Sequence, residues 1–264
     1  MNLYNLAITA FAEGNYETAL SYLQQALVIA QETADHGARG KILHQISQIY
    51  YVHGNYEVAL VYFQQSLAIF QEVGDKCSEG AAFNDIAQIY LARGDYETAL
   101  IYLQQALAIA QEIGDKRGGG KTLHNIAQIY YVRGDHGVAL NYLQQSLKIA
   151  WETGDKVGEG KTLNNISQIY YAQGEHATAL EYLQQSLAIR QEIGDVSGLC
   201  SSLFNRGHIH LQHQQTQEAI SDFVAAYKLA KQLGEAQALA ALEHLAKQFG
   251  GEGLEFWEQY LSEN

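Results

Sequence analysis

A period of forty residues runs through this chain and restricts its fold more than any other feature. Equivalent residues recur at that spacing from residue 14 to residue 233, as in the series Tyr50, Tyr90, Tyr130, Tyr170 and the series Ala59, Ala99, Ala139, Ala179, Ala219. A fixed period of this length indicates one supersecondary unit repeated along the chain. Because a single unit cannot bury its apolar face alone, we expect neighbouring units to stack on one another.

Each repeat is predicted to form two helices. In the clearest copy the first helix runs from roughly Asp75 to Ala92 and the second from Tyr96 to about Ile113. Apolar residues recur three and four positions apart in both, which gives each helix one buried stripe. Between them, Gly94 suits a left-handed helix C-cap and Asp95 suits an N-cap.

The composition agrees with a chain of helices joined by glycine turns. There is no proline, although average usage is roughly one residue in twenty, and there are 24 glycines. The hydrophobic fraction of 47% is enough for a continuous core. Small residues recur where two helices must approach closely, at Ser47, Ala87, Ala127, Ser167 and Gly207.

We predict an all-α fold and a single repeat array over residues 1–264. Six repeats occupy residues 1–233, and the first helix of the first repeat is short because it starts close to Met1. Beyond Leu233 the register degrades, and residues 234–264 are predicted to form two capping helices, the second of them short.

The small residue followed three positions later by Tyr, and then Ala and Leu or Phe in the second helix, resemble the tetratricopeptide repeat (TPR) over nearly the whole chain. The repeat here has forty residues and lacks the closing proline of the common shorter form. Its L-x-N-[IL]-x-x-[IV]-Y and G-D-K motifs are similar to those of Leu-Gly-Asn repeat (LGN/Pins) adaptors and kinesin light chains. The resemblance implies a right-handed α-solenoid of stacked antiparallel helix pairs, a superhelix whose first helices line the concave surface.

Carried onto this sequence, the concave positions form a series of amide, amine, imidazole and aromatic side chains. Amides offer both a donor and an acceptor and so suit the backbone of an extended peptide. The residues are Lys41, His44, Gln48, Tyr51, Asn84, Gln88, Lys121, His124, Asn125, Gln128, Tyr131, Lys161, Asn164, Asn165, Gln168, Tyr171, Asn205 and His208.

Two pairs in this series have a lysine four positions before an asparagine, Lys121 with Asn125 and Lys161 with Asn165. Residues four apart share one face of a helix. The pairs resemble the carboxylate-binding positions of peptide-clamping tetratricopeptide domains, and we hypothesise that they receive an acidic side chain or a C-terminal carboxylate. The alternative is an ordinary solvated polar face.

The concave positions of the first repeat are apolar instead, namely Tyr4, Ile8 and Phe11. An exposed apolar patch often marks an interface. The patch is consistent with a seat for a partner's hydrophobic anchor, with end-to-end pairing of two copies, and with the edge of a longer protein. The sequence does not choose among these interpretations.

Charge and cysteine content restrict the partners. The net charge of −13 disfavours nucleic acid and anionic membranes, which both need a basic surface. Cys77 and Cys200 lie in different repeats, which argues against a disulfide and suits a cytoplasmic protein. Neither a signal peptide nor a long apolar segment is evident.

The motifs that imitate catalytic or metal sites are explained by the repeat. Residues 114–122 and 154–162 end in Gly-Lys-Thr like a phosphate-binding loop, but five residues rather than four separate the outer glycines and no strand precedes them. We expect these glycines to relax the turn between repeats. His208, His210 and His213 are spaced so that they scatter around a helix. We therefore predict no catalytic residues, no metal and no cofactor.

The function predicted from these features is that of a non-catalytic scaffold or adaptor, which binds an extended segment of a partner protein in a concave groove. Two alternatives stay open at this point. One is a structural array that self-associates through its ends, and the other is a regulatory or sensor module acting with a separate effector enzyme.

Overall fold

The computed structural model describes residues 2–262, and over that range the chain forms fourteen α-helices and no β-strand. The helices make two compact halves, Met1–Arg133 and Gly134–Asn264. The N-terminal half contains α1 (Leu3–Ala12), α2 (Tyr16–Glu32), α3 (His36–Val52), α4 (Tyr56–Val73), α5 (Lys76–Ala92), α6 (Tyr96–Glu112) and α7 (Lys116–Val132). The C-terminal half contains α8 (His136–Thr153), α9 (Lys156–Ala172), α10 (His176–Glu192), α11 (Val196–Gln212), α12 (Thr216–Leu233), α13 (Ala236–Gln248) and α14 (Glu255–Ser262).

Odd-numbered helices are the first helices of the repeats and even-numbered helices are the second ones. In each half every helix packs on the one before and the one after it along the chain, except that α14 returns to α12. Consecutive pairs therefore stack as the repeat requires, and the all-α prediction is confirmed.

The helix ends fall where the sequence places them. Helices α5 and α6 match the predicted boundaries to within one residue at each end, α1 is short at 10 residues against 17 for α3, and α13 and α14 follow the last repeat. The single array over residues 1–264 stays a prediction, because the described helices form two halves.

Each turn from α1 to α13 is built from a left-handed residue followed by a helix N-cap. Gly94 has φ of 76°, and the Asp95 carboxylate then accepts a hydrogen bond from the Thr98 amide at 3.1 Å. Ala34 and Gln214 take the left-handed position in two turns, with φ of 52° and 59°. Side chains strain this conformation, whereas glycine does not.

The glycine-rich segment 114–122 is not a loop. Gly114 alone lies in the turn, whereas Gly118, Gly119 and Gly120 lie in the first turns of α7. The expectation that these glycines relax the turn is therefore wrong for the last three. Gly118 donates its amide to the Asp115 N-cap at 2.9 Å, so this amide already has a partner.

The sixth repeat replaces part of the common core by a charged set. Where repeats two to five have isoleucine on the first helix and tyrosine on the second, this repeat has Arg206 and Asp222. The guanidinium of Arg206 contacts both carboxylate oxygens of Asp222, at 2.9 and 2.5 Å. Nε2 of His210, which replaces the packing tyrosine, lies 3.8 Å from Asp222.

A second charged residue lies in the core of the C-terminal half. Arg190 is 4% exposed, and its Nε has no hydrogen-bond partner among the described residues. Its nearest carboxylate, Asp195, is 4.0 Å from Nε and also caps α11 through the Gly198 amide. Desolvation by burial lowers the pKa of Arg190. The equivalent residue is alanine at positions 30, 110, 150 and 230.

Candidate functional site: a groove between two first helices

A groove of about 400 Å³ lies between α5 and α7 in the N-terminal half. Its apolar floor comes from the C-terminal turns of α6, through Ala106, Ile109, Ala110 and Ile113. The walls are polar side chains of α5 and α7, and two residues of α3 extend one side. The groove therefore combines an apolar base with a charged and amide-bearing rim.

Three cations and two carboxylates, Asp85 and Asp115, line the groove, which gives it a small excess of positive charge within an acidic protein. The cations are Lys76, Arg117 and Lys121. Lys76 is paired with Glu79, at 2.8 Å between Nζ and Oε2, and the hydrogen bond to Glu79 raises the pKa of Lys76. Lys121 is exposed on α7, close to the apolar floor.

One wall carries a polar cluster formed by α3 and α5. Nε2 of His44 lies 2.9 Å from Oδ2 of Asp85, and Gln48 donates its side-chain amide to the same oxygen at 3.2 Å. The imidazole packs edge-on against Phe63 at 5.1 Å between ring centroids. These contacts hold both carboxylate and imidazole in place before any ligand arrives.

The lining of the groove also contains a hydrogen-bonded group that we call the asparagine clasp, formed by Asn84, Thr122 and Asn125. Nδ2 of Asn84 lies 2.9 Å from Oγ1 of Thr122, and Oδ1 of Asn84 accepts from Nδ2 of Asn125 at 3.3 Å. The clasp joins α5 to α7. It uses both polar atoms of Asn84, so this amide is already satisfied within the protein.

The C-terminal half repeats the clasp between α9 and α11. Oδ1 of Asn164 accepts from Oγ of Ser202 and from Nδ2 of Asn205, both at 3.1 Å. Asn164 is only 6% exposed. A side chain this buried supports the packing of two helices rather than presenting its amide to a ligand.

The groove brings together only part of the predicted series. Of the predicted residues in the N-terminal half it contains His44, Gln48, Asn84, Lys121 and Asn125. The others in that half lie outside its lining: Lys41, Tyr51, Gln88, His124, Gln128 and Tyr131. Burial raises the pKa of Tyr51, whose ring packs on Tyr56 at 5.6 Å.

The remaining predicted residues belong to the C-terminal half. Lys161 is exposed, whereas Asn165, Gln168, Tyr171, Asn205 and His208 are half-buried. The ring of Tyr171 packs on His176 at 5.4 Å, and His208 packs on Phe204 and Phe223 at 4.6 and 5.2 Å. Burial lowers the pKa of His208.

Sequence reasoning missed the apolar floor and two of the three cations of the groove. It placed every binding residue on first helices, whereas Ile109 lies on a second helix and Ile113 is the C-cap of that helix. Lys76, Cys77 and Arg117 lie in the first turns of α5 and α7, just before the predicted stripe begins. The mixture of Lys and Arg in these turns was the available signal.

The predicted apolar residues of the first repeat lie on α1. Ile8 is 36% exposed, Tyr4 is half-buried, and Phe11 contacts Tyr16 edge-on at 5.4 Å. Tyr4 also lines a second pocket at the start of the N-terminal half. Ile8 and Phe11 do not belong to that pocket.

The described residues contain neither a cluster suited to a metal ion nor a helix suited to crossing a membrane. No group of three or more His, Cys, Asp or Glu side chains in residues 2–262 is arranged to hold a metal ion. In the same part of the chain, no helix combines the length and the apolar character needed to cross a membrane.

The sequence matches the tetratricopeptide repeat family model over residues 1–72, 78–152 and 158–232. These segments cover most of the chain. No curated protein matches it in sequence.

Several solved structures share the fold. BtubC (BKLC) from P. vanneervenii has 19% identity over 81% of this chain and 91% of its own, with a TM-score of 0.68. Kinesin light chain TPR-like repeats from Podosopora anserina have 23% identity over 73% and 95%, with a TM-score of 0.58. A Rap protein complexed with competence and sporulation factor has 17% identity over 99% and 75%, with a TM-score of 0.71.

Proposed function

We propose that this chain, which belongs to the tetratricopeptide repeat family, is a non-catalytic scaffold that binds an extended peptide segment of a partner protein in the groove between α5 and α7. The observation that carries the proposal is the groove itself. Its volume of about 400 Å³ and its apolar floor suit one anchoring side chain and the backbone on either side of it.

The anchor is an apolar side chain that lies on the floor. Ile113 is 40% exposed and lies next to Ala110, so a ligand methyl or methylene group there removes apolar surface from water on both partners. Burial of such surface is worth about 25 cal/mol per Å². A Leu- or Met-sized side chain is therefore expected to supply most of the affinity.

The rim selects the residues beside the anchor. Lys121 and Arg117 favour a carboxylate, which gives the peptide an acidic position despite the overall charge of −13. Asn125 lies on the same face of α7, one turn after Lys121. Because its Nδ2 donates to Asn84, we expect its carbonyl oxygen to accept a hydrogen bond from a peptide amide.

Two solved neighbours of this fold support a peptide as the ligand. The Rap protein described above is complexed with competence and sporulation factor, and the Rap conjugation gene regulator of the plasmid pLS20, with a TM-score of 0.72 and 16% identity, is in complex with the Phr* peptide. At 17% identity the first of these structures shows only that the fold is shared. The peptide chemistry proposed here is therefore argued from the groove residues of this chain.

The test selects binding sequences from a random peptide library on the wild-type protein and then measures the affinity of variants. Lys121→Ala is expected to weaken binding of an acidic peptide about tenfold. Lys148→Ala removes an exposed lysine of α8, outside the groove, and is the matched control with unchanged affinity. Equal affinity for the wild type and Lys121→Ala contradicts the acidic preference.

Cys77 provides an independent measurement of occupancy. It is exposed and lines the groove, whereas Cys200 is 2% exposed. A thiol reagent is therefore expected to label Cys77 first, and a bound peptide is expected to slow that labelling. If a peptide binds and the labelling rate is unchanged, the binding site lies elsewhere.

A further inference from the structure

The space between α9 and α11 corresponds in register to the groove between α5 and α7, because the same clasp joins each pair of helices. Its charges differ from those of the groove. At the positions equivalent to the groove lining, the segment from α9 to α11 has three cations and one carboxylate, namely Lys156, Lys161, Arg190 and Asp195. Arg190 replaces Ala110, so one of these cations lies at the base of the space instead of on its rim.

Two glycines show where the side chain of Arg190 lies. A Cβ added at Gly160 on α9 would be 3.2 Å from Cγ of Arg190, and one added at Gly198 would overlap Nη1. Gly198 is the third residue of α11, which begins at Val196. The arginine therefore runs between the two helices and points its guanidinium at the first turn of α11.

The guanidinium of Arg190 is short of negative charge in this position. The residue is 4% exposed, and its Nε has no hydrogen-bond partner within residues 2–262. Oδ2 of Asp195 is 4.0 Å from Nε, while Oδ1 of the same carboxylate accepts from the Gly198 amide. The first turn of a helix also carries positive partial charge, which adds to the charge of Arg190 instead of offsetting it.

Such an arrangement costs stability, because a buried charge needs a close partner to offset its desolvation. Alanine fills the same position at residues 30, 110, 150 and 230 without this cost. Packing alone therefore does not account for an arginine at this place, whereas an anion at the first turn of α11 would compensate both the guanidinium and the helix end.

We propose that Arg190 and the first turn of α11 bind one carboxylate of a peptide, supplied by an acidic side chain or by the chain end. A planar guanidinium pairs with both oxygens of a carboxylate through two parallel hydrogen bonds. Rotation about the bonds of its long side chain carries the guanidinium toward the opening between α9 and α11 as the ligand enters. Lys161, exposed on α9, adds to the attraction. The site does not depend on the α5–α7 groove, which lies in the other half.

Asp195 favours a carboxylate over a phosphate as the ligand. A carboxylate brings one negative charge, whereas a phosphate group brings nearly two at neutral pH. Because Asp195 lies 4.0 Å from Arg190, it repels the more highly charged group more strongly. Inorganic phosphate is therefore the competing ligand in the experiment.

The first measurement compares melting temperatures in sodium acetate and in sodium chloride at equal ionic strength. The wild type is expected to melt about 1–3 °C higher in acetate. Arg190→Met is expected to lose this difference. The same substitution removes a buried charge and is expected to stabilise the free protein, so the loss is not explained by a damaged fold. Lys148→Met removes an exposed lysine of α8 in the same half and is the matched control that keeps the difference.

Nuclear magnetic resonance provides a direct readout at the arginine. The Nε–H signal of Arg190, assigned by its absence in Arg190→Met, is expected to shift on titration with acetate. Two pentapeptides then separate the sources of the carboxylate. Acetyl-Gly-Gly-Asp-Gly-Gly-amide offers only a side-chain carboxylate, and acetyl-pentaglycine offers only a chain end. At least one of them is expected to shift the same signal.

Three results overturn the proposal. The first is an equal response to acetate in the wild type and in Arg190→Met. The second is that neither pentapeptide shifts the Nε–H signal that acetate shifts, because the site would then not accept a peptide. The third is that phosphate produces a larger difference between the wild type and Arg190→Met than acetate does.

Discussion

Nε2 of His44 on α3 lies 2.9 Å from Oδ2 of Asp85 on α5, a contact that joins two neighbouring first helices. Asn84 with Asn125 and Asn164 with Asn205 make the corresponding contact, at 3.3 and 3.1 Å. In all three pairs the second residue lies one position beyond the forty-residue repeat. These residues of the polar series therefore join neighbouring first helices to one another.

Asn164→Ala is expected to destabilise the C-terminal half by about 1–3 kcal/mol. The substitution removes the acceptor of Ser202 and Asn205 from a site where Asn164 is 6% exposed. Urea unfolding measures the loss, and native-state hydrogen exchange locates it in α9 and α11. The matched control is Asn84→Ala, for which we expect a smaller loss because Asn84 is half-buried. Equal losses of unfolding free energy in the two variants would show that the burial of the asparagine does not determine how much its hydrogen bonds contribute to stability.

Arg206→Ala is expected to cost about 2–3 kcal/mol, because Asp222 is 5% exposed and would lose the guanidinium that satisfies both of its oxygens. The triple variant Arg206→Ile, His210→Tyr and Asp222→Tyr introduces the residues of repeats two to five. We expect it to recover the stability to within about 1 kcal/mol of the wild type. A triple variant as unstable as Arg206→Ala would mean that the charged set depends on further partners.

Arg190→Met is expected to stabilise the protein by about 1 kcal/mol, since it replaces a buried charge by an apolar chain of similar length. The Asp195 carboxylate keeps its bond to the Gly198 amide in this variant. Thermal unfolding of the wild type, Arg190→Met and Arg190→Ala provides the comparison, the alanine variant showing the cost of the cavity. Destabilisation by methionine would demonstrate that the ion pair with Asp195 contributes net stability.

His208 is expected to make stability depend on pH. Burial lowers its pKa below the ordinary value of 6.5, so the unfolded chain takes up the proton first as the pH falls. The stabilisation is complete above pH 6.5 and is lost as the pH falls below that value toward the lowered pKa. His208→Gln introduces the residue of positions 48, 88, 128 and 168, and should remove this part of the loss. Unfolding free energies at pH values of about 7.5 and 5.5 test it, and identical losses in both proteins would contradict it.

Most of the fold follows from local patterns in the sequence. The period, the apolar stripes and the Gly-Asp turns depend on residues close together in the chain, and they located α5 and α6 to within one residue at each end. The shortness of α1 and the two helices after residue 233 follow from the same register.

The site is harder to predict because its residues interact across repeats. The sequence predicts that Asn84 and Asn125 both lie on the concave face of a first helix. It does not show that the side-chain amide of Asn125 donates a hydrogen bond to that of Asn84. It also gives no measure of how far the end of α6 reaches under α5 and α7, which is why Ile109 and Ile113 were missed. Contacts of this kind depend on the crossing of helices, which the periodicity leaves undetermined.

The turns have a consequence for how such a gene changes in length. Gly54 and Gly94 are equivalent positions, and each is followed by an N-cap residue, Asn55 or Asp95. Recombination between any two equivalent turns removes or adds one whole repeat and leaves an intact helix end on both sides of the junction. The array can therefore lengthen or shorten in steps of forty residues without a new loop having to evolve.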